Sequence, residues 1–228
     1  MDIKVIAFDA DDTLWVNEPY FRETETAFCQ LLEDFMPLHS AERALLTTEI
    51  KNLPLYGYGI KGFTLSMIET ALSISEGHIR ATAIGRILEL GKELLARPIE
   101  LLDGIEEVLG SLKERYRLVV ATKGDLLDQE RKMKNSGIDH FFHHIEIMSD
   151  KGVADYRKLV RHLDIAPEQF LMVGNSLKSD VLPVLELGGH AIHVPYHTTW
   201  AHEVVDDTIE HANFRSVTTI REILPLLS

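Results

Sequence analysis

The chain has 228 residues, 45% of them hydrophobic and 26% charged, the balance of a folded globular protein with room for one large α/β domain or a core plus an insert. Its formal net charge of −13 argues against a general nucleic-acid binder, yet a few lysines and backbone N–H groups are enough to hold a small phosphorylated ligand. Cys29 is the only cysteine, so no intrachain disulfide can form; no apolar run reaches the ~18 residues of a membrane span, and the first residues carry no leader pattern, so the expected location is the cytoplasm.

Residues 3–8 are a β-branched and aromatic run that predicts a buried strand, and it stops in Asp9, Asp11 and Asp12, followed by Thr13. Clustered carboxylates at the end of a buried strand are costly unless a cation or exposure at the sheet edge compensates them. Residues 15–21 read as a polar turn containing Pro19. From 22 to 35 apolar residues recur at helical spacing (Ala27, Leu31, Leu32, Phe35), with Pro37 expected to end the helix and Ser40 to cap the next. Residues 56–63 form a glycine-rich, aromatic and basic turn, and helical pattern resumes over 64–71 and 76–95. No strand is expected between about 20 and 97, and Pro98 marks a boundary.

Beyond it strands and helices alternate. The pattern predicts a helix over 104–115, a strand over 118–122 and a helix over 126–136 closed by Gly137. A strand over 145–148, a helix over 153–163 and a strand over 170–173 follow, then a helix over 180–187, a strand over 191–194 and a final helical stretch over 217–227. Such alternation implies a three-layer, Rossmann-like, doubly wound parallel sheet built from residues 1–16 and 98–228, with residues 17–97 inserted as an all-helical cap. Parallel strands would bring Asp9, Thr122, Lys151 and the Gly174-Asn175-Ser176 turn to one edge of the sheet, where open α/β sheets bind ligands.

A lone D-x-D is common by chance; four motifs in order, each at a strand end, are specific. Asp9-Ala10-Asp11-Asp12-Thr13, then Thr122, Lys151, and Gly174-Asn175-Ser176 with Asp180 resemble the haloacid dehalogenase superfamily, in its phosphatase branch with a helical cap inserted after the first motif. The resemblance covers essentially the whole chain. It implies that Asp9 is the nucleophile and Asp11 the general acid and base, and that Lys151 neutralises Asp9. It also implies that Mg²⁺ is held by Asp9, the Asp11 carbonyl and the fourth motif, Asn175 with Asp180. The Thr122 hydroxyl and the backbone around Lys123 and Gly124 would bind phosphoryl oxygens. Lys151 is preferred to Lys158, which falls mid-helix.

Substrate contacts are expected from Tyr58 and Lys61 in the 56–63 turn, with Tyr56 and Phe63 beside them. Asp12 is expected to be a turn or helix-cap acid facing solvent, and Asn17 and Glu18 to form the hinge into the insert. One departure stands out: the family commonly has an acid where this chain has Asn175, which brings an oxygen and no charge. Retention of Asp11 disfavours dehalogenation, which needs no acid for a phosphate leaving group. The function implied is a Mg²⁺-dependent phosphatase that hydrolyses a small phosphomonoester (nucleotide, sugar phosphate or flavin phosphate) through an aspartyl-phosphate. A phosphomutase and a non-catalytic domain binding a phospho-ligand or a protein are the alternatives. The expected partner is a small phosphorylated metabolite, with neither nucleic acid nor membrane; oligomeric state is left open. His193, His197 and His202 with Glu203 read as a polar loop over the sheet edge, and His143-His144 as surface.

Overall fold

A computed structural model describes residues 2–205 and 208–227. The strands are β1 (Val5–Phe8), β2 (Arg117–Lys123), β3 (His144–Met148), β4 (Phe170–Gly174), β5 (His190–His193) and β6 (Phe214–Ser216). They form one parallel sheet in the order β3-β2-β1-β4-β5-β6. The central strand β1 pairs Phe8 with Val120 on one side and with Val173 on the other. Between β1 and β4 the order of strands reverses, and such a reversal opens a crevice at the carboxyl ends of the two strands.

Alternation along the strands makes the two faces. Ile6, Phe8, Leu118, Val120, Leu171 and Val173 pack on one side with helix α5 (Ile105–Leu112) and with Met133 of α6 (Leu126–Ser136). Val5, Ala7, Val119, Ala121, Phe170 and Met172 face the other way, against α7 (Val153–His162) and α8 (Leu182–Leu187). This is the three-layer α/β architecture expected of strands buried on both faces.

The chain divides into two compact units. One takes the chain up to Glu18, Ile99–Lys123 and the chain from Gln129 onward; the other is Pro19–Pro98 with Gly124–Asp128. The second contains α1 from its second residue (Glu18–Gln30), α2 (Leu38–Tyr56), α3 (Ile60–Ile74) and α4 (Ala81–Leu95), and no strand among its described residues. Its core gathers Phe28, Leu45, Ile60, Phe63, Met67, Ile87 and Leu90, with Cys29 buried among them.

Local boundaries differ from the sequence expectation where prolines are concerned. Pro19 lies in the first turn of α1 rather than in a preceding loop, a position where a missing N–H costs nothing. Helix α1 ends at Gln30, short of Pro37, and Pro37 is the N-cap residue of α2 in place of Ser40. The glycine-rich turn narrows to Gly57 and Gly59, both at positive φ, and α3 starts at once after them. The helical stretch over 217–227 contracts to a 3₁₀ turn, Ile220–Glu222, and α9 (Ile223–Leu226), and the short strand β6 lies in a segment with no apolar run to announce it. Among the described residues no helix is long and apolar enough to cross a membrane.

Candidate active site

The site grows from the loop after β1. The Asp9 N–H donates to Val173 O (2.9 Å), continuing the β1–β4 pairing, and the chain then turns sharply, with Leu14 N–H on Ala10 O (2.8 Å) and Asp12 N–H on Trp15 O (2.7 Å). Asp9 is left at the strand end, and Lys151, three residues beyond β3, pairs with its Oδ1. The same ammonium donates to Asp180 Oδ1 (2.7 Å). Asp180 Oδ2 accepts from the Ser176 N–H (2.9 Å), so both of its oxygens are engaged.

Two features of the fourth motif allow this. A π-helical turn, Leu177–Val181, brings Asp180 back over the end of β4. Gly174 then leaves space for it: a Cβ there would lie 2.2 Å from Asp180 Oδ2 and 2.3 Å from its Cγ.

All three charged groups are buried, Asp9 at 8%, Lys151 at 3% and Asp180 at 1% exposure. One ammonium serves two carboxylates. Burial therefore prevails at Asp9, opposed by Lys151 and aided by the Asp180 charge, and its carboxyl is pushed up to about 7. Burial also works against the Lys151 charge, but Asp180 and Asp9 outweigh it and hold the ammonium above its ordinary value.

Asn175 completes the centre. With Oδ1 toward Asp9 its amide oxygen accepts from the Thr13 hydroxyl (3.2 Å) and lies 3.2 Å from Asp9 Oδ2 and 3.3 Å from the Asp11 carbonyl. Turned over, its NH₂ donates to those same atoms. In the first orientation a carboxylate, a backbone carbonyl and an amide oxygen converge with no donor between them. Adjacent ligands of an octahedral Mg²⁺ at 2.0–2.1 Å are about 2.9 Å apart, so the two separations from Asn175 Oδ1 fit a small hard cation after a shift of a few tenths of an ångström. His193 Nε2 lies 3.0 Å from the Asn175 carbonyl and braces the turn.

The Asp11 side chain is held by three donors. Its Oδ1 accepts from the buried Trp15 indole N–H (2.7 Å) and from Lys132 Nζ (2.9 Å), and its Oδ2 from Gln129 Nε2 (2.8 Å). Lys132 also donates to Asn17 Oδ1 (2.8 Å). Gln129 and Lys132 are three apart on α6 and share a face. Neither is marked in the sequence, because α6 is a run of charged and polar residues in which nothing distinguishes the buried ones.

Asp12 is buried rather than solvent-facing, at φ 60°. Its carboxylate accepts the N–H groups of Asn17 and Glu18, both at 2.9 Å, at the entry to α1, so the helix-cap part of the expectation agrees with the structure and the exposed part does not. Burial pushes its carboxyl up to about 7 against those two hydrogen bonds.

Thr122 is buried at the end of β2, its hydroxyl donating to Lys123 O (3.3 Å). The Lys123 ammonium is committed to Ser179 Oγ (2.8 Å) and Glu203 Oε1 (2.8 Å), so what Lys123 and Gly124 can present to an anion is backbone N–H. Glu203 also accepts from the hydroxyls of Ser176 and Ser179, each at 2.5 Å. Burial opposes its charge, but Lys123 and the two hydroxyls outweigh it and hold the carboxyl at about 2. The loop over 193–203 thus ties to the fourth motif through Glu203. In the helical unit Lys61 pairs with Asp125 (3.0 Å), Phe63 packs on Phe21 with ring centroids 5.2 Å apart, and Tyr58 is half-buried. Lys158 pairs with Asp155 on an exposed face.

Residues 3–188 match the haloacid dehalogenase-like hydrolase family. The chain belongs to that family. This haloacid dehalogenase-like hydrolase is 39% identical to a family member from Xanthomonas campestris whose crystal structure superposes with a TM-score of 0.85, over 95% of this chain and 87% of that one. It is 28% identical to the glyceraldehyde 3-phosphate phosphatase of Methanothermobacter thermautotrophicus across 98% of both chains. A putative hydrolase of the same superfamily from Bacillus subtilis, solved bound to magnesium, is 16% identical with a TM-score of 0.66 over the full length of both, a likeness of fold alone.

Proposed function

We propose that this hydrolase is a Mg²⁺-dependent phosphatase acting on a small phosphomonoester through an aspartyl-phosphate on Asp9. The observation that carries the reading is the buried centre itself. Asp9 and Asp180 share the single ammonium of Lys151, which leaves an excess negative charge beside three converging oxygens. A phosphate ester is anionic and needs that charge reversed. Asp9, the Asp11 carbonyl and Asn175 Oδ1 would hold Mg²⁺, which when bound neutralises Asp9 and polarises the phosphoryl oxygens. Asp180, with both oxygens engaged, serves as the anchor of Lys151 rather than as a ligand.

The chain's own groups supply the steps. The Asp9 carboxylate attacks phosphorus, the ester P–O bond breaks, and the leaving oxygen takes a proton from Asp11. Asp11 then removes a proton from a water that attacks the aspartyl-phosphate, releasing phosphate and restoring Asp9. Oδ2 is the oxygen suited to carry the proton, since it has one neutral donor, Gln129, whereas Oδ1 has two donors, one of them charged. Thr122 turns its hydroxyl from Lys123 O to a phosphoryl oxygen, joined by the backbone N–H groups of Lys123 and Gly124. The curated relatives make glyceraldehyde 3-phosphate the first substrate to test.

Phosphate release from a panel of triose, sugar, nucleotide and flavin phosphates, with and without Mg²⁺, tests the proposal. Free phosphate should appear only with Mg²⁺ and vanish in Asp9→Asn and Asp11→Asn. Full activity in Asp11→Asn, or no release from any ester, would overturn it.

A further inference from the structure

We propose that His144, Glu146 and His162 form a second metal site, for a transition-metal dication of the Zn²⁺ class, at the far end of the sheet from the phosphate chemistry. His144 and Glu146 are two apart on β3, which is an edge strand, so their side chains share a face. Their β2 neighbours in register, Val119 and Ala121, lie in the core layer packed against α7, as does Met148, the next residue of the same parity. Tyr156, Leu159 and Val160 seat α7 on that layer, and its last residue, His162, comes down beside the pair.

The three candidate ligand atoms all lie within 4.8 Å of one another. His144 Nε2 is 2.6 Å from Glu146 Oε2, His162 Nδ1 is 3.9 Å from the same oxygen, and the two imidazole rings meet edge to face with centroids 4.9 Å apart. Neighbouring ligands of a tetrahedral ion at about 2.0–2.1 Å stand about 3.4 Å apart, so small rotations of the exposed His162 ring and the half-buried His144 ring close the set. Two imidazoles and one carboxylate suit Zn²⁺, Ni²⁺ or Cu²⁺ and not Mg²⁺, which takes oxygen. Three protein ligands, two of them half-buried and one exposed, leave a fourth position for water and an open path for entry.

The location gives the site a role distinct from catalysis. Strand β3 runs from His144 toward Lys151, so this cluster is at the amino end of the strand and the active site at its carboxyl end. Helix α7 starts two residues after Lys151 and ends on His162. An ion there would clip the end of α7 to the edge strand, closing one exposed sheet edge and bracing the helix that follows the buried lysine.

The test is calorimetric titration of the full chain with ZnCl₂ in excess Mg²⁺, on wild type and on His144→Ala, Glu146→Gln, His162→Ala and His162→Gln. Wild type should bind one equivalent of Zn²⁺ that each substitution weakens by at least about tenfold. Zn²⁺ should also raise the Tm of wild type more than that of the variants, and phosphate release should be the same in all five. Zn²⁺ taken up at the active-site oxygens would persist in the variants, so only the part that depends on these three residues counts. Isotherms alike in wild type and variants, or no Zn²⁺ bound at all, would overturn the proposal whatever the outcome of the phosphatase assay.

Discussion

Asp9→Asn should make the metal-free protein more stable at alkaline pH, although it removes the proposed nucleophile. Asp9 is buried, and its carboxyl is pushed from 3.8 to about 7. Three pH units at about 1.4 kcal/mol each mean that the ionised carboxylate costs the folded state about 4 kcal/mol above pH 7. The sign follows from proton counts. Between 3.8 and about 7 the folded chain holds a proton at Asp9 that the unfolded chain has lost, so stability falls as pH rises through that window. The pull of Lys151 on the carboxylate is already contained in that shift, so nothing further is subtracted for it; the amide keeps the shape, and Lys151 keeps Asp180. The gain expected is a few kcal/mol, at most about 4, near pH 8 and close to none near pH 4. Asp12, also pushed up to about 7, contributes the same slope to both proteins and cancels in the comparison. Urea unfolding in EDTA at the two pH values measures the difference. Excess Mg²⁺ should stabilise wild type alone and close the gap near pH 8. An Asp9→Asn variant no more stable than wild type near pH 8, or more stable by the same amount at both pH values, would refute the reasoning.

Lys132→Met removes the cation that holds Asp11 Oδ1 and Asn17, and kcat should fall by about tenfold to a hundredfold with little change in KM; steady-state kinetics decide, and an unchanged kcat would mean that Lys132 does not position the acid. Gly174→Ala puts a methyl into the Asp180 carboxylate, so it should cost about 1–3 kcal/mol in urea unfolding and take activity with it by displacing the anchor of Lys151. Asn175→Asp adds a charge to the oxygen set and should lower the Mg²⁺ concentration for half-maximal activity; an unchanged value would count against Asn175 as a ligand.

The fold was legible because its signals are ones a sequence must carry. Residues 5–8, 118–121 and 170–173 are buried on both faces and had to be apolar throughout, and the acids, lysine and glycine that follow such strands have few places to go but the sheet's carboxyl edge. Asp9, Lys151 and Asn175 meet there as the motif order suggested. The rest depended on partners that sequence spacing does not reveal. Nothing separates Lys132 from Lys134 until α6 is laid on the sheet, and nothing marks Glu203 until its loop folds back onto Ser176 and Ser179. Asp12 is an acid in a turn, which ordinarily faces solvent; two N–H groups at the head of α1 draw it in. Strand β6, three residues with one apolar side chain, is recruited by pairing with β5.

Under the proposed function, the charges around the site give a physical reason for Asn175 where the family commonly has an acid. Asp9, Asp11, Asp180 and Glu203 are four carboxylates, and Lys151, Lys132 and Lys123 are three ammoniums, each paired to at least one of them. Four against three leaves one negative charge when these are ionised and Asp12, whose carboxyl is pushed up to about 7, is protonated. A divalent cation turns that to a net positive charge, enough to receive a phosphate, and the lysines are already committed to holding acids in place. An acid at 175 would raise the excess to two negative charges and a bound dication would only cancel it. If the proposed function holds, Asn175 would exchange strength of metal binding for attraction to the anion. In Asn175→Asp the gain in Mg²⁺ affinity should come with a higher KM for the phosphate ester, and a variant that improves both would mean that the field of the site, as counted from these seven side chains, is not what draws the substrate.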